Sequence, residues 1–213
     1  MSSNPVAKTT GVIRLLRDAL KSDAIAITSV DGPTANTRVL GAVGYDAIML
    51  DFLSSPRLAN WHCIHYQLKH DSNALSWEEL PLLYESSIVN EILIPLGYRN
   101  GIALPLRGNS GQLVGWAHTS SSRYKFDSEG RAELMRTRSI LATLVQSEAK
   151  IWQLTPRERE ILALIRAGLP NPEIADRLLI ANRTVGTHIE NLLRKLALSN
   201  RVQAAVWAFD HGI

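Results

Sequence analysis

The sequence has almost no cysteine and no long hydrophobic run. Cys63 is the only cysteine among 213 residues, so an intrachain disulfide is excluded and nothing indicates an oxidising compartment. A membrane-spanning helix needs about 18 or more consecutive apolar residues, and no such run occurs. The first residues also lack the apolar centre of a secretory signal peptide. We therefore expect a cytoplasmic protein with no membrane partner.

A strong excess of charge of either sign is also absent. The formal net charge is +3, which is too small to identify a nucleic-acid partner without a local basic patch. With 213 positions and 46% hydrophobic residues, the chain can form two domains with buried cores. We expect these domains to cover residues 1–150 and 151–213, because strong helix-start signals follow a long helical pattern at that point.

The first 150 residues alternate between helical and strand patterns. A helical pattern over residues 10–21 precedes two strand-like segments and a helical cover. The runs "GIALPL" and "QLVGWAHTS" then flank "RGNSG", whose residues suit a hairpin loop. This order predicts an α/β/α domain with a mainly antiparallel sheet, within an α+β protein whose C-terminal domain is all-α.

A long connector helix is expected at the end of the first domain, because residues 131–153 contain neither glycine nor proline. Leu134 and Leu141 lie seven residues apart in this helix. That spacing fits pairing with a second copy of the helix. Packing of the same residues on the domain's own sheet explains it equally well.

The strongest helix signals lie in the last sixty residues. Thr155 and Glu158 have the spacing of a capping box, and Gly168 ends the first predicted helix. Asn171 is expected to cap a second helix, and Asn200 a fourth. Four helices in about sixty residues form a small all-α domain.

The third predicted helix of this domain, residues 184–196, has two different faces. Two helices joined by a short turn, the second with a polar outer face, form a helix-turn-helix, whose second helix fits the major groove of DNA. The apolar residues recur at helical spacing: Val185, Ile189, Leu192, Leu193 and Leu196. The opposite side collects Arg183, Thr187, Glu190, Asn191 and Arg194.

Residues 154–208 resemble the LuxR-type helix-turn-helix domain over their whole length. The matching residues are Leu154, Thr155, Pro156, Arg157, Glu158, Glu160, Leu162, Gly168, Asn171, Glu173, Ile174, Ala175, Leu178, Thr184, Val185, His188, Lys195, Leu196, Arg201 and Ala205. The resemblance implies a homodimeric DNA-binding transcription regulator that binds a pseudo-palindromic operator in double-stranded DNA. Together, the resemblance and the polar face of the third helix predict DNA contacts from Arg183, Thr184, Val185, Gly186, Thr187, Glu190, Asn191, Arg194 and Lys195. The resemblance also implies dimerisation through Val202, Ala205, Val206 and Phe209.

The segment departs from the family pattern at three positions. Ala181 stands where a helix-capping serine is usual, a loss of about 1 kcal/mol unless Asn182 substitutes for it. Gly186 stands where lysine or arginine is frequent, and Glu190 where a basic or amide residue is frequent. Glu190 then either accepts a hydrogen bond from a cytosine amino group or forms a helix-surface salt bridge with Arg194. A regulator that has lost DNA binding and acts through protein contacts is a further interpretation of these departures.

The first domain resembles a GAF domain, a fold of small-molecule and redox sensors, over roughly residues 8–150. The features that carry the resemblance are a strand, a glycine hairpin, a second strand with Gly115, and Phe126-Asp127 before the last helix. The resemblance implies a domain that senses a small molecule or mediates dimerisation.

Part of the same stretch, "GYRNGIALPLRGNSGQLVG", also resembles the autoinducer-binding domain of some LuxR-type proteins. A quorum-sensing receptor for an acyl-homoserine lactone-like autoinducer is therefore the alternative. Asp71 is similar to an acidic pocket residue of that family, but Ser72 follows it where proline is usual.

A ligand pocket in the first domain is expected to be lined by aromatic residues, because ligand sites are mostly apolar with few polar anchors. The candidates are Trp61, Tyr66, Trp77, Tyr84 and Trp116. Plain core packing is the alternative for each of them.

The cluster "WHCIH" invites two chemical interpretations. His62 and His65 could share a helix face and bind a metal, or Cys63 could act as a nucleophile beside His65. Neither is supported, because no HExxH or CxxC spacing supplies further ligands and no orienting third group is evident. We therefore expect no enzymatic activity, no metal and no cofactor.

Overall fold

The computed structural model describes residues 5–31, 36–70, 74–123 and 128–213. Residues 9–146 form one compact unit, and residues 147–213 belong to a second. Within the described ranges, no helix is both long enough and apolar enough to cross a membrane.

The N-terminal unit is built on one antiparallel sheet, which confirms the predicted α+β class with its antiparallel sheet. The strands are β1 (Ala24–Asp31), β2 (Asn36–Val43), β3 (Leu75–Ser76), β4 (Asn100–Arg107) and β5 (Leu113–Ser121). They occur in the spatial order β2-β1-β5-β4-β3, and every neighbouring pair is antiparallel. The predicted hairpin is formed by β4 and β5.

Helices cover both faces of this sheet. They are α1 (Pro5–Ala19), α2 (Ala47–Leu53), α3 (Pro56–Ala59), α4 (His62–Lys69) and α5 (Ser128–Gln153). Short 3-10 turns at Trp77–Glu79 and Leu83–Glu85 and a π-helical turn at Val89–Leu93 complete the cover.

The two faces of the sheet carry side chains of different size, because successive residues of a strand point to opposite sides. In β1, Ile25 and Ile27 pack with α1 and α5, whereas Ala24 and Ala26 pack with the cluster that contains α2 and α4. Small residues on the second face leave room for the aromatic side chains of that cluster.

Leu134 and Leu141 of α5 are buried in the layer beneath the sheet, 0% and 1% exposed. They are therefore used within this domain and are not available to a second copy. The long helix is confirmed, and of the two interpretations of its leucine spacing the structure favours packing on the sheet. Phe126 and Asp127 lie outside the described residues.

At Gly115, β5 lies close against the backbone of β1. A Cβ atom at this position would lie 2.0 Å from the carbonyl oxygen of Thr28. No side chain fits there without moving the backbone of β1, so the glycine in the strand motif has a packing reason.

The C-terminal unit contains four helices after the end of α5. They are α6 (Pro156–Arg166), α7 (Asn171–Leu178), α8 (Asn182–Leu196) and α9 (Arg201–Asp210). One apolar core joins them, with these residues fully or almost fully buried: Ile161, Leu162, Ile165, Ile174, Val185, Leu192, Leu196, Ala204 and Ala208. The predicted all-α domain of four helices is confirmed.

Most of the predicted helix ends are observed. Thr155 and Glu158 form the complete capping box, Gly168 follows α6 with φ +84°, and the Asn200 side chain accepts a hydrogen bond from the Gln203 amide. The prediction for Asn171 is wrong. Asn171 is the first residue inside α7, and its Oδ1 instead accepts a hydrogen bond from Arg201 at 2.7 Å.

A three-residue turn joins α7 to α8. Leu179 has a left-handed backbone (φ 54°) that ends α7, and its side chain is 91% exposed. Ala181 occupies the capping position of α8 without a side-chain hydrogen bond. Asn182 lies inside the helix and does not substitute for the missing cap.

Candidate functional site

The most distinctive surface of the C-terminal unit is the outer side of α8. Exposed side chains recur at intervals of four, three and four residues, which places them in one row along the helix. We call this set the α8 polar row; it consists of Arg183, Thr187, Glu190 and Arg194. A parallel row on the other side is buried and fixes the orientation of the helix: Val185, Ile189, Leu192 and Leu196.

Val185 requires a correction among the predicted DNA contacts. Its side chain is fully buried and belongs to the apolar row, four residues before Ile189. The side chain therefore stabilises the domain and cannot contact DNA. Thr184 and Gly186 beside it are at the surface, and no heavy atom lies within 4 Å of the position that a Cβ at Gly186 would occupy.

Lys195, a predicted DNA contact, forms an ion pair within the domain that the sequence did not predict. Its Nζ lies 2.7 Å from Oε2 of Glu158, and the Lys195 side chain is 27% exposed. Glu158 is itself almost completely buried. The ion pair joins α8 to α6, a role that the sequence did not reveal because the two residues lie 37 positions apart.

Side chains of the α8 polar row also form local hydrogen bonds. Nη2 of Arg194 donates to Oδ1 of Asn191 at 3.0 Å, and the Thr187 hydroxyl donates to the carbonyl oxygen of Arg183 at 3.3 Å. The side chains of Arg183, Thr187 and Arg194 are all exposed, so the row presents two cations and a hydroxyl group at the surface of α8. Such a surface can supply contacts to phosphates and to base edges in DNA.

The predicted dimerisation residues form an exposed apolar strip on α9. Val202, Val206 and Phe209 are 71%, 56% and 67% exposed, and helical spacing places them on one side. Ala205 lies beside them and is half-buried. Large apolar side chains that are grouped at a surface are typical of protein–protein contacts.

The N-terminal unit contains a cavity of about 40 Å³ between the sheet and its helical cover. Two of the five predicted aromatic residues, Trp61 and Trp77, line it. The complete lining is Met49, Phe52, Leu53, Leu58, Trp61, Cys63, Ile64, Gln67, Trp77, Leu80, Leu93, Ile102, Ala103, His118 and Ser120. Among the residues that the structure describes, this lining carries no carboxylate or ammonium group.

The other three predicted pocket residues lie elsewhere. Tyr84 is 51% exposed and contacts the edge of Trp77, so its assignment to the pocket wall is wrong. Tyr66 is half-buried and stacks on His70, with 4.1 Å between ring centroids. Trp116 is buried in the surrounding apolar cluster and belongs to the core.

Polar groups of the cavity were missed in the sequence. His118 and Ser120 follow Trp116 at intervals of two in β5, so strand alternation could have identified them. Burial lowers the pKa of His118 from 6.5 to about 3, which keeps the imidazole neutral. Ser120 shares a hydrogen bond of 2.7 Å with the Tyr45 hydroxyl. The cavity is therefore apolar with neutral polar groups on the sheet side.

The structure disfavours both chemical interpretations of the "WHCIH" cluster. Burial raises the pKa of Cys63 to about 11, which disfavours the nucleophilic thiolate. His62 and His65 are exposed, and His62 contacts the Cys63 sulfur at 3.3 Å. The described residues contain no group of three metal-binding side chains. Asp71 and Ser72 lie outside the described part of the chain.

Comparison with known proteins agrees with the helix-turn-helix geometry. Residues 152–208 match the family described as "Bacterial regulatory proteins, luxR family". Over 75 residues the chain is 48% identical to the nitrate/nitrite response regulator protein NarL of Escherichia coli (strain K12). That match covers 35% of this chain and 35% of NarL, so the chain spans about a third of the length of this relative.

Solved structures support the predicted fold of the N-terminal unit. A GAF domain from the Acinetobacter phosphoenolpyruvate-protein phosphotransferase matches 71% of this chain and 88% of its own, with TM-score 0.53 and 11% identity. The structure of SdiA in complex with octanoyl-rac-glycerol matches 98% of this chain and 88% of its own, with TM-score 0.52 and 19% identity. At such low identity these similarities establish the fold alone, and the GAF-like prediction is confirmed at that level.

Proposed function

We propose that this chain, whose residues 152–208 are a luxR-family helix-turn-helix domain, is a DNA-binding transcription regulator. The observation that carries the proposal is the two-sided structure of α8. Its apolar row is buried, and Arg183 and Arg194 are exposed near the two ends of its polar row. A helix of this kind can lie in the major groove while its cations contact phosphates.

The proposed partner is double-stranded DNA with two related half-sites. A homodimer binds a pseudo-palindromic site because its two recognition helices are related by the same symmetry as the half-sites. The exposed strip of Val202, Val206 and Phe209 on α9 supports a dimer contact. Because a bacterial-type DNA-binding regulator acts where the DNA is, we propose that the protein acts in the cytoplasm.

The GAF-like unit is proposed to control this activity by binding a small effector. Its cavity of about 40 Å³ exceeds the roughly 10–15 Å³ that one water needs, but is far below the roughly 300 Å³ of a typical ligand site. An effector that binds in this cavity must therefore be very small or must widen the cavity on binding. The apolar lining and the neutral His118 favour an uncharged, mainly apolar molecule. An acyl-homoserine lactone-like amphiphile remains the alternative.

DNA binding is tested by measuring affinity for a duplex of random sequence at several salt concentrations, with the full chain. Each phosphate contact contributes about −0.9 to the slope of log K against log salt. We expect the wild type to bind at low salt with a steep negative slope. Arg183→Ala and Arg194→Ala should each make the slope less steep by about 0.9.

Arg14→Ala is the matched control, because it removes the same charge from an exposed position of α1. Its slope should equal that of the wild type. Failure of the wild type to bind any duplex at low salt would contradict the proposal and favour the interpretation that the chain acts through protein contacts alone. An equal change of slope in all three variants would show that the slope depends on the net charge of the chain and not on contacts from α8.

Effector binding is tested by the thermal shift of the full chain with octanoyl-rac-glycerol, a neutral amphiphile. A ligand that binds only the folded state raises the melting temperature as its concentration rises. Ala103→Leu, which fills the cavity, should remove this shift, while Ala132→Leu at an exposed position of α5 should keep it. An equal shift in both variants would place the binding outside the cavity.

A further inference from the structure

Glu190 is the one acidic residue of the α8 polar row. It is exposed, with Thr187 about one turn before it and Arg194 about one turn after it. If α8 lies in the major groove, as the proposed function requires, side chains in the middle of its exposed face point toward base edges. The inference below rests on that proposed function.

The neighbouring cations do not neutralise Glu190. Nη2 of Arg194 donates to Asn191, and the ion pairs described in α8 do not include a salt bridge between Arg194 and Glu190. Among the described residues of α6 and α8, ion pairs join Arg157 to Glu160 and Lys195 to Glu158, and neither pair includes Glu190. The carboxylate of Glu190 is therefore free to accept hydrogen bonds from a molecule outside the chain.

The surface around Glu190 is open. Space next to Gly186 is unoccupied to at least 4 Å, and the Thr187 hydroxyl is directed to the carbonyl oxygen of Arg183. Glu190 is thus the strongest hydrogen-bond acceptor in the polar row, with the cations Arg183 and Arg194 on either side along the helix. Those cations can contact phosphates while the carboxylate lies between them.

A carboxylate in the major groove can pair with few base edges. It repels the phosphates, so it weakens binding unless a base donates a hydrogen bond to it. Guanine offers acceptors at O6 and N7, and thymine an acceptor at O4, so both repel it. Adenine offers a donor at N6 but an acceptor at N7 beside it. Cytosine offers the N4 amino group without a neighbouring acceptor.

We propose that Glu190 is a specificity-determining residue that recognises cytosine in each half of the operator. Its carboxylate accepts a hydrogen bond from the cytosine N4 amino group and excludes guanine and thymine by repulsion between acceptors. Both effects contribute to base selectivity. The negative charge of Glu190 at the same time lowers the affinity for DNA of any other sequence.

The test is selection of bound duplexes from a randomised pool by the full chain, followed by sequencing. The wild type should prefer cytosine at one position of each half-site by about 5- to 150-fold. Glu190→Ala should lose that preference while keeping the others. Glu190→Gln should shift the preference toward adenine, because an amide pairs with N6 and N7 together.

Glu173→Ala is the matched control, since it removes an exposed carboxylate from α7. It should leave every base preference unchanged, even if its overall affinity rises like that of Glu190→Ala. The proposal is overturned if both Glu190 variants select the same bases as the wild type, or if the wild type binds duplexes without any preference. Absence of wild-type binding at low salt would instead defeat the proposed function itself.

Discussion

Oε2 of Glu158 accepts hydrogen bonds from two different parts of the C-terminal unit. The backbone amide of Thr155 donates to it at 2.7 Å, and Nζ of Lys195 also lies at 2.7 Å. One carboxylate oxygen therefore closes the capping box of α6 and fixes the C-terminal part of α8. Glu158 is almost fully buried, and together with the buried apolar row of α8 it helps to fix the orientation of the α8 polar row.

Glu158→Ala should destabilise the C-terminal unit by about 2–3 kcal/mol, because it removes charged hydrogen bonds and a helix cap together. Amide hydrogen exchange of the full chain, followed by mass spectrometry of peptides from α6 and α8, measures this loss. Glu160→Ala is the control, since Glu160 is half-exposed and forms an ion pair with Arg157 on the surface. Its effect should stay below about 1 kcal/mol. Equal exchange in both variants would show that the buried pair contributes nothing.

The same contact predicts how stability changes in acid. Burial raises the pKa of Glu158, but hydrogen bonds from Lys195 and Thr155 outweigh this effect and hold the pKa below its usual 4.5. The folded state therefore binds this proton more weakly than the unfolded state. The ionised Glu158 therefore contributes its full share of stability above pH 4.5, and this stability is lost as the pH falls through the pKa of Glu158 in the folded state. The exchange difference between wild type and Glu158→Ala should accordingly shrink below pH 4.5; a difference independent of pH would contradict an ionised pair.

Local signals and long-range contacts differed in how well the sequence predicted them. The capping box, the glycine after α6 and the two faces of α8 each depend on residues within a few positions, so their spacing was sufficient. The Glu158–Lys195 pair depends on packing of α6 against α8, which no local pattern encodes. At Asn171 a local signal gave a wrong prediction. Asparagine is a good capping residue, but here its side chain accepts a hydrogen bond from Arg201 instead of capping α7.

Ala181→Ser should stabilise the unit by about 1 kcal/mol, because Ala181 has the extended backbone of a capping residue but no side-chain acceptor. A serine oxygen at this position can accept from an unsatisfied amide of the first turn of α8. Exchange of the amides at the start of α8 measures the gain. Ala181→Val is the control, since it adds a side chain without an oxygen. A gain that appears in both variants would assign the effect to packing rather than capping.

The sequence showed that the N-terminal unit is rich in aromatic residues, but it could not show which of them line the cavity. Trp61 and Trp77 reach the cavity, while Tyr84 lies at the surface, and nothing in the sequence distinguishes these outcomes. His118 could have been found from Trp116, because residues two apart in a strand share one face. Small residues such as Ala103 lie in the wall of the cavity. A small residue does not reveal in the sequence whether the space beside it is empty or filled by a neighbour.

His118 should make the N-terminal unit sensitive to mild acid. Its pKa of about 3 in the folded state lies below the 6.5 of an unfolded chain, so protons bind the unfolded state first. The wild type should lose about 2 kcal/mol between pH 7 and pH 5 through this residue. His118→Gln should remove that loss in urea unfolding followed by tryptophan fluorescence. His65→Gln, at an exposed site, is the control; parallel pH curves for wild type and His118→Gln would contradict a buried neutral imidazole.

Val206→Asp should separate the proposed dimer into monomers. Val206 lies between Val202 and Phe209 on α9 and is 56% exposed in the single chain. A charge at this position should therefore leave the fold intact. In a dimer formed through α9, the same charge would be buried without a partner. An unpaired interfacial charge costs about 2–5 kcal/mol, which corresponds to about 30-fold or greater weakening of self-association. Sedimentation velocity at several protein concentrations measures this change. Leu179→Asp is the matched control, because Leu179 is an exposed leucine of the same unit outside α9 and already has the left-handed backbone that aspartate tolerates. If Leu179→Asp dissociates the protein and Val206→Asp does not, the dimer contact lies on the turn before α8 rather than on α9.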